Sequence, residues 1–237
     1  MDPGTEYVFY ILGFAALAIP AAIGYYLARK HFINLKIVTR GAVYYLLAGF
    51  VAILSAVAYI RLTTPYFPQA TILLGAGFTA GAVEEALRYV LTGKAAVKSR
   101  WEALGFGLGW ALLPFAFAGF GVLTAPLAAQ SYEAANMHVE NAGSGGPVIE
   151  SRTLSPVDAF VVFIETASTF TFQIALAVAV SASVTRKNTK ILAACALSHG
   201  LVNALTNYLM AGGGYHSTPV YALAGFCGAY FIWKFKP

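Results

Sequence analysis

Seven long runs of apolar residues, separated by short polar segments, organise the 237-residue chain. They are Tyr7–Leu27, Gly41–Leu62, Ala70–Thr92, Trp101–Leu123, Val157–Val184, Asn188–Met210 and Thr218–Trp233. A helix needs about 20 predominantly apolar residues to cross a hydrocarbon core of ~30 Å, so the pattern predicts an all-α bundle of about seven transmembrane helices. The last run is short for a span. Proline and glycine inside several runs are compatible with helices in a bundle. Closely spaced glycines, as in Gly105-Phe-Gly-Leu-Gly109, predict close helix contacts.

Composition agrees with the pattern. Residues are 59% hydrophobic and only 11% charged, with a mean hydropathy of +0.69, against about 25% charged in soluble domains. The pI of about 9.2 does not imply a nucleic-acid partner, because the basic residues flank apolar runs. Arg29, Lys30, Lys36 and Arg40 separate the first two runs, and Lys94, Lys98 and Arg100 the third and fourth. Arg186, Lys187 and Lys190 separate the fifth and sixth, and Lys234 and Lys236 follow the seventh. Only Arg61 and Arg152 fall on the other side, and Arg88 lies within a run. The positive-inside rule then predicts an external N-terminus, a cytoplasmic C-terminus and an external loop over 128–156, in a multi-pass protein of the cell membrane. Residues 1–237 read as a single integral membrane domain. MDPGTE lacks the basic n-region of a signal peptide, so the first run is expected to be a retained span. Cys195 and Cys227 sit in apolar runs without metal-knuckle or disulfide spacing, and read as buried thiols.

Against this apolar background the third run carries Glu84, Glu85 and Arg88. A charge in the membrane costs at least ~2.5–3.5 kcal/mol on insertion scales, so it persists where it is paired or serves a site. Glu84 and Arg88 are four apart and share a helix face. Glu85 points roughly 100° away and needs a partner on another span. Counted from the cytoplasmic ends, Glu84, Trp110, Gln173 and His199 fall at similar depth, roughly 12–17 Å in at 1.5 Å per residue. Packed helices could gather them in one layer. Asn203 follows His199 on the same face, and Glu165 lies one to two turns outward from Gln173. A bundle-joining ion pair, a core histidine bonded to Glu84 or Glu85, an amide bridge at Gln173 and a space-filling Trp110 form the bland reading of these residues.

The segments AGFTAGAVEEALRYV, EALGFGLGW, IETASTFTFQIALAVAV and ALSHGLVNAL resemble the YhfC family. That family belongs with the CAAX-processing and bacteriocin-processing intramembrane metalloproteases. The resemblance covers about 75–209. It implies that Glu84, Glu85, Arg88, His199 and Asn203 occupy catalytic motif positions, and that His199, Glu84 and the span-five Glu165 are candidate metal ligands. It also implies zinc as the cofactor of an active member. Two positions depart: a motif F-x-x-x-H reads Phe106-Gly-Leu-Gly-Trp110, and a span-five histidine reads Gln173. Catalytic zinc takes three protein ligands and keeps one open position. An indole nitrogen only donates, and Gln is a weak ligand. His31, His138 and His216 lie in loops or at span ends.

Three functions follow as alternatives. One is a non-catalytic binding or scaffolding subunit of a membrane assembly, with other transmembrane subunits as partners and no cofactor. The second is an active zinc-dependent intramembrane endopeptidase with a rearranged ligand set. The third is a transporter or proton relay, which the lack of an inverted repeat disfavours.

Overall fold

The computed structural model describes residues 3–31, 33–141, 155–211 and 217–234, and these form seven helices. They are α1 (Pro3–His31), α2 (Leu35–Thr63), α3 (Gln69–Ala95), α4 (Arg100–Asn141), α5 (Pro156–Arg186), α6 (Thr189–Ala211) and α7 (Thr218–Lys234). Each apolar run falls on one helix, apart from Asn188, which precedes α6. No strand occurs among the described residues. By length and composition α1 to α5 can each cross a membrane. The other two fall short, α7 in length and α6 in apolarity. α7 has 17 residues, and α6 is interrupted by His199, Asn203 and Asn207.

Local chemistry sets the helix ends. Asn34 accepts from the Lys36 N–H before α2. Ser155 and Asp158 form a reciprocal capping box that opens α5, satisfying backbone donors that have no partner within the helix. Ser99 and Glu102 exchange bonds of 3.1 Å at the start of α4.

The largest difference from the sequence expectation is in α4. The apolar run stops at Leu123, but the helix continues to Asn141, taking in the first half of the segment expected to be a loop. Residues 128–141 include Ala, Gln, Glu and Met, which are good helix formers. Hydropathy reports where apolarity ends, not where helix ends. At 1.5 Å per residue the 42 residues of α4 extend about 63 Å, roughly twice the hydrocarbon thickness. The rest of the expected loop, 142–154, lies outside the described residues.

Helix packing rests on close approach at glycine. A Cβ at Gly77 would lie 2.6 Å from the Asn203 carbonyl oxygen, and one at Gly81 2.7 Å from the Gly200 nitrogen. α3 and α6 therefore touch backbone to backbone. The alternating glycines at the start of α4 serve two neighbours: Gly109 meets Val38 of α2, and Gly107 meets Ile174 and Ala177 of α5.

These contacts bring one set of helix ends together. The Arg40 Nη1 donates to the Ala95 carbonyl at 3.3 Å, joining the start of α2 to the end of α3. The Arg100 Nη2 donates to the Ile232 carbonyl at 2.9 Å, joining the start of α4 to the end of α7. Gly24 near the end of α1 packs on Leu108 near the start of α4. The basic segments noted in the sequence thus share one end of the bundle, save Lys236, which lies outside the described residues.

Candidate functional site

The centre of the bundle holds the polar layer. Glu84, Glu85 and Arg88 occupy adjacent turns of α3, Trp110 comes from α4, Gln173 from α5 and His199 from α6. All are buried; Glu85, Arg88 and Trp110 have no exposed surface.

Arg88 is the hub. Its Nη2 donates to Glu84 Oε1 at 2.8 Å and to the side-chain oxygen of Gln173. Its Nη1 lies 3.0 Å from Glu85 Oε1, at ion-pair distance but without hydrogen-bond alignment. The guanidinium carbon sits 4.6 Å from the centroid of the Trp110 ring. Such a stacked cation contributes up to about 2 kcal/mol when desolvated. Trp110 also donates its Nε1–H to Glu84 Oε1 at 2.9 Å. It is wedged between Tyr45 and Phe106, whose ring centroids lie 6.0 and 5.6 Å away.

Glu85 finds its partner on another helix, as its direction requires. His199 Nδ1 lies 2.7 Å from Glu85 Oε1. With the Gln173 oxygen accepting from Arg88, the amide nitrogen faces His199 Nε2 at 3.4 Å. One assignment satisfies every contact: Nδ1–H donates to Glu85, and Nε2 accepts from Gln173. Phe172 packs edge-on against the imidazole, with centroids 6.0 Å apart. Among the described residues, the buried side-chain atoms without hydrogen-bond partners include Glu85 Oε2, Arg88 Nε and Nη1, and Thr92 Oγ1.

The sequence-predicted residues therefore divide. Glu84, Glu85, Arg88, Trp110, Gln173 and His199 converge. Asn203 does not join them; its carbonyl accepts from Thr206 at 3.1 Å. Glu165 stands apart, with Oε1 accepting from the Ser217 and Thr218 hydroxyls at 2.9 and 2.8 Å, at the start of α7. That position suits a carboxylate, because a helix N-terminus carries partial positive charge. Trp110 does more than fill space: its N–H is a donor of the cluster.

Glu84, Glu85 and His199 each offer an atom within 4.8 Å of the others, a grouping that could hold a metal ion. His199 Nε2 and Glu84 Oε2 are 4.0 Å apart. The fold and this centre define an integral membrane helical protein with carboxylates and a histidine converging inside the bundle. The chain matches the family model of the YhfC intramembrane metalloproteases over residues 15–223, and it belongs to that family. The match reaches well beyond the motif segments, into α1 at one end and α7 at the other. No curated protein and no solved structure matches the chain significantly.

Proposed function

We propose that this protein keeps the fold of an intramembrane metalloprotease but not its chemistry, and serves as a membrane-embedded binding or scaffolding subunit. The observation that carries this reading is the filling of the centre by Trp110 and Gln173, which stand where the family pattern has histidines: Trp110 donates to Glu84 Oε1 at 2.9 Å, and the Gln173 amide nitrogen faces His199 Nε2 at 3.4 Å. The donor set points the same way. Glu84 Oε1 already accepts from Arg88 and Trp110, and Gln173 covers His199 Nε2. Trp110 and Gln173 replace two histidines of the family pattern, and neither completes a zinc ligand set. In this reading the three grouped ligands, Glu84, Glu85 and His199, serve the bundle's packing rather than a catalytic zinc ion.

What remains is a bundle with apolar outer faces, suited to association with other transmembrane helices through small residues. In this reading the whole chain acts as a single unit in the cell membrane, with the basic end cytoplasmic. The test is metal analysis of the purified full chain. We expect well under 0.1 zinc per chain and an unchanged melting temperature in chelator, with other membrane proteins co-purifying after mild solubilisation. Roughly one zinc per chain, lost in Glu84→Gln or His199→Ala, overturns the reading.

The second reading is an active zinc endopeptidase with a rearranged ligand set. It is favoured by the convergence of Glu84, Glu85 and His199 and by the unpartnered Glu85 Oε2. It requires Gln173 to release His199 Nε2. Proteolysis abolished by Glu84→Gln would establish it.

A further inference from the structure

A second polar locus lies on α5, about 12 Å along the helix from Gln173 at 1.5 Å per residue, and farther from the basic end. Glu165 is half-buried there and lines a cavity of about 190 Å³ between α4, α5 and α7. Its Oε1 accepts from the Ser217 and Thr218 hydroxyls, but a hydroxyl carries no charge to offset that of a carboxylate. Among the described residues no cation pairs with Glu165, and its Oε2 makes no hydrogen bond. The central carboxylates differ, since Glu84 and Glu85 both face Arg88. The Thr169 hydroxyl borders the same cavity and makes no hydrogen bond among the described residues. An ionisable side chain within a span persists where it is paired or serves a site, and nothing described in the chain supplies that pairing for Glu165.

The chemistry of the cavity narrows its ligand. A carboxylate disfavours anions. A hard divalent metal takes about six or more oxygen ligands, whereas one carboxylate and a few hydroxyls are on offer, and the Thr166 hydroxyl is already given to the Val162 carbonyl at 2.6 Å. The remaining walls are apolar, with Phe115 and Ala118 from α4 and Phe170 from α5. Phe115 and Phe170 pack edge to face with centroids 5.0 Å apart, and aromatic rings favour an organic cation. The volume is that of about six waters at ~30 Å³ each, enough for a short alkyl chain.

We propose that this cavity binds a primary ammonium carried on a short alkyl body. The ammonium donates to Glu165 Oε2 and to the Thr169 hydroxyl, and the alkyl carbons lie against Phe115, Ala118 and Phe170. Ser217 and Thr218 hold the other carboxylate oxygen and so fix Glu165 at the start of α7. The inference does not depend on whether the central site is catalytic.

The test is thermal unfolding of the purified full chain in mild detergent near pH 7, where an alkylamine is protonated, with millimolar butylammonium. A ligand that binds the folded state raises the melting temperature. We expect a rise of about 2 °C or more, and none with butanol or butyrate, which share the alkyl body without the positive charge. Glu165→Gln keeps an oxygen for both hydroxyls and so keeps the fold. It should weaken the apparent affinity about tenfold or more, as the loss of a charged hydrogen bond implies. Ala118→Phe, which fills the cavity and leaves the charge in place, should abolish the rise. Equal rises with butylammonium and butanol overturn the proposal, as does an undiminished response in Glu165→Gln. No rise in the parent protein also overturns it. The same ammonium could arrive on the lysine of a neighbouring transmembrane helix. A Leu-rich peptide with one lysine at the depth of Glu165 that raises the melting temperature, where butylammonium does not, overturns the free ligand in favour of a partner helix.

Discussion

Arg88 illustrates how one residue can hold a membrane bundle together. It has no exposed surface, and it faces two carboxylates, an amide and an indole drawn from three helices. Removing one member of a buried ion pair leaves the other uncompensated and costs ~3–5 kcal/mol. Arg88→Met should therefore destabilise the fold by an amount in that range, and Glu84→Gln/Arg88→Met should be less damaging than the two single losses combined. Unfolding of the purified protein in mixed detergent, run as a double-mutant cycle, measures this; a coupling indistinguishable from zero would disprove the pairing. The i,i+4 relation of Glu84 and Arg88 was legible in the sequence, because it depends only on helix periodicity. So was the shared depth of the four contributing helices. Which carboxylate His199 would choose was not legible, since that depends on the rotation of α6 against α3. Nor was the donor role of Trp110, because an indole in an apolar run reads the same whether or not its N–H has an acceptor.

Among the elements, the pairing of α3 with α6 sets the geometry of the site. The glycine contacts at Gly77 and Gly81 lie one to two turns from Glu84 and Glu85, and on the α6 side Gly200 adjoins His199. Close backbone approach at this crossing is what lets His199 Nδ1 come to 2.7 Å of Glu85. Gly81→Ala would place a methyl group 2.7 Å from the Gly200 nitrogen, and overpacking of this kind costs about 1–3 kcal/mol. Gly121 of α4 supplies the contrast, because a Cβ there meets nothing within 4 Å. Replacing a helical glycine by alanine in open space stabilises by roughly 0.5–1 kcal/mol. Thermal unfolding should thus show Gly81→Ala melting below the parent and Gly121→Ala at or above it. If both variants move in the same direction, the α3–α6 contact does not have the role described. Helix positions were readable from hydropathy because each apolar run had to be long enough to cross the membrane. The extension of α4 to Asn141 was not, since those residues are helical by propensity and polar by composition. The five helices that qualify as spans differ from α6 for a similar reason: His199 lowers the apolarity of α6 while being buried inside the protein at 3% exposure.

For the whole molecule, orientation follows from the clustering of charge. The structure joins the start of α2 to the end of α3 and the start of α4 to the end of α7, so segments scattered along the sequence converge on one basic end. The α2–α3 turn, where Tyr66 is 78% exposed, lies at the far end of both helices. Short loops rich in Lys and Arg resist translocation. The basic end should accordingly face the cytoplasm and the α2–α3 turn the outside. Cys195 is buried as its apolar run implies, but Cys227 is exposed, because its face of α7 points outward from the bundle rather than into it; both thiols can be replaced by alanine to give a clean background. In that background Tyr66→Cys should react with a membrane-impermeant maleimide on intact cells, and Lys190→Cys, in the turn that opens α6, only after the membrane is permeabilised. Each substitution sits at an exposed turn position and leaves the bundle interior untouched. The reverse labelling pattern would invert the protein in the bilayer. It would also show that the basic end is held outside against the usual charge asymmetry.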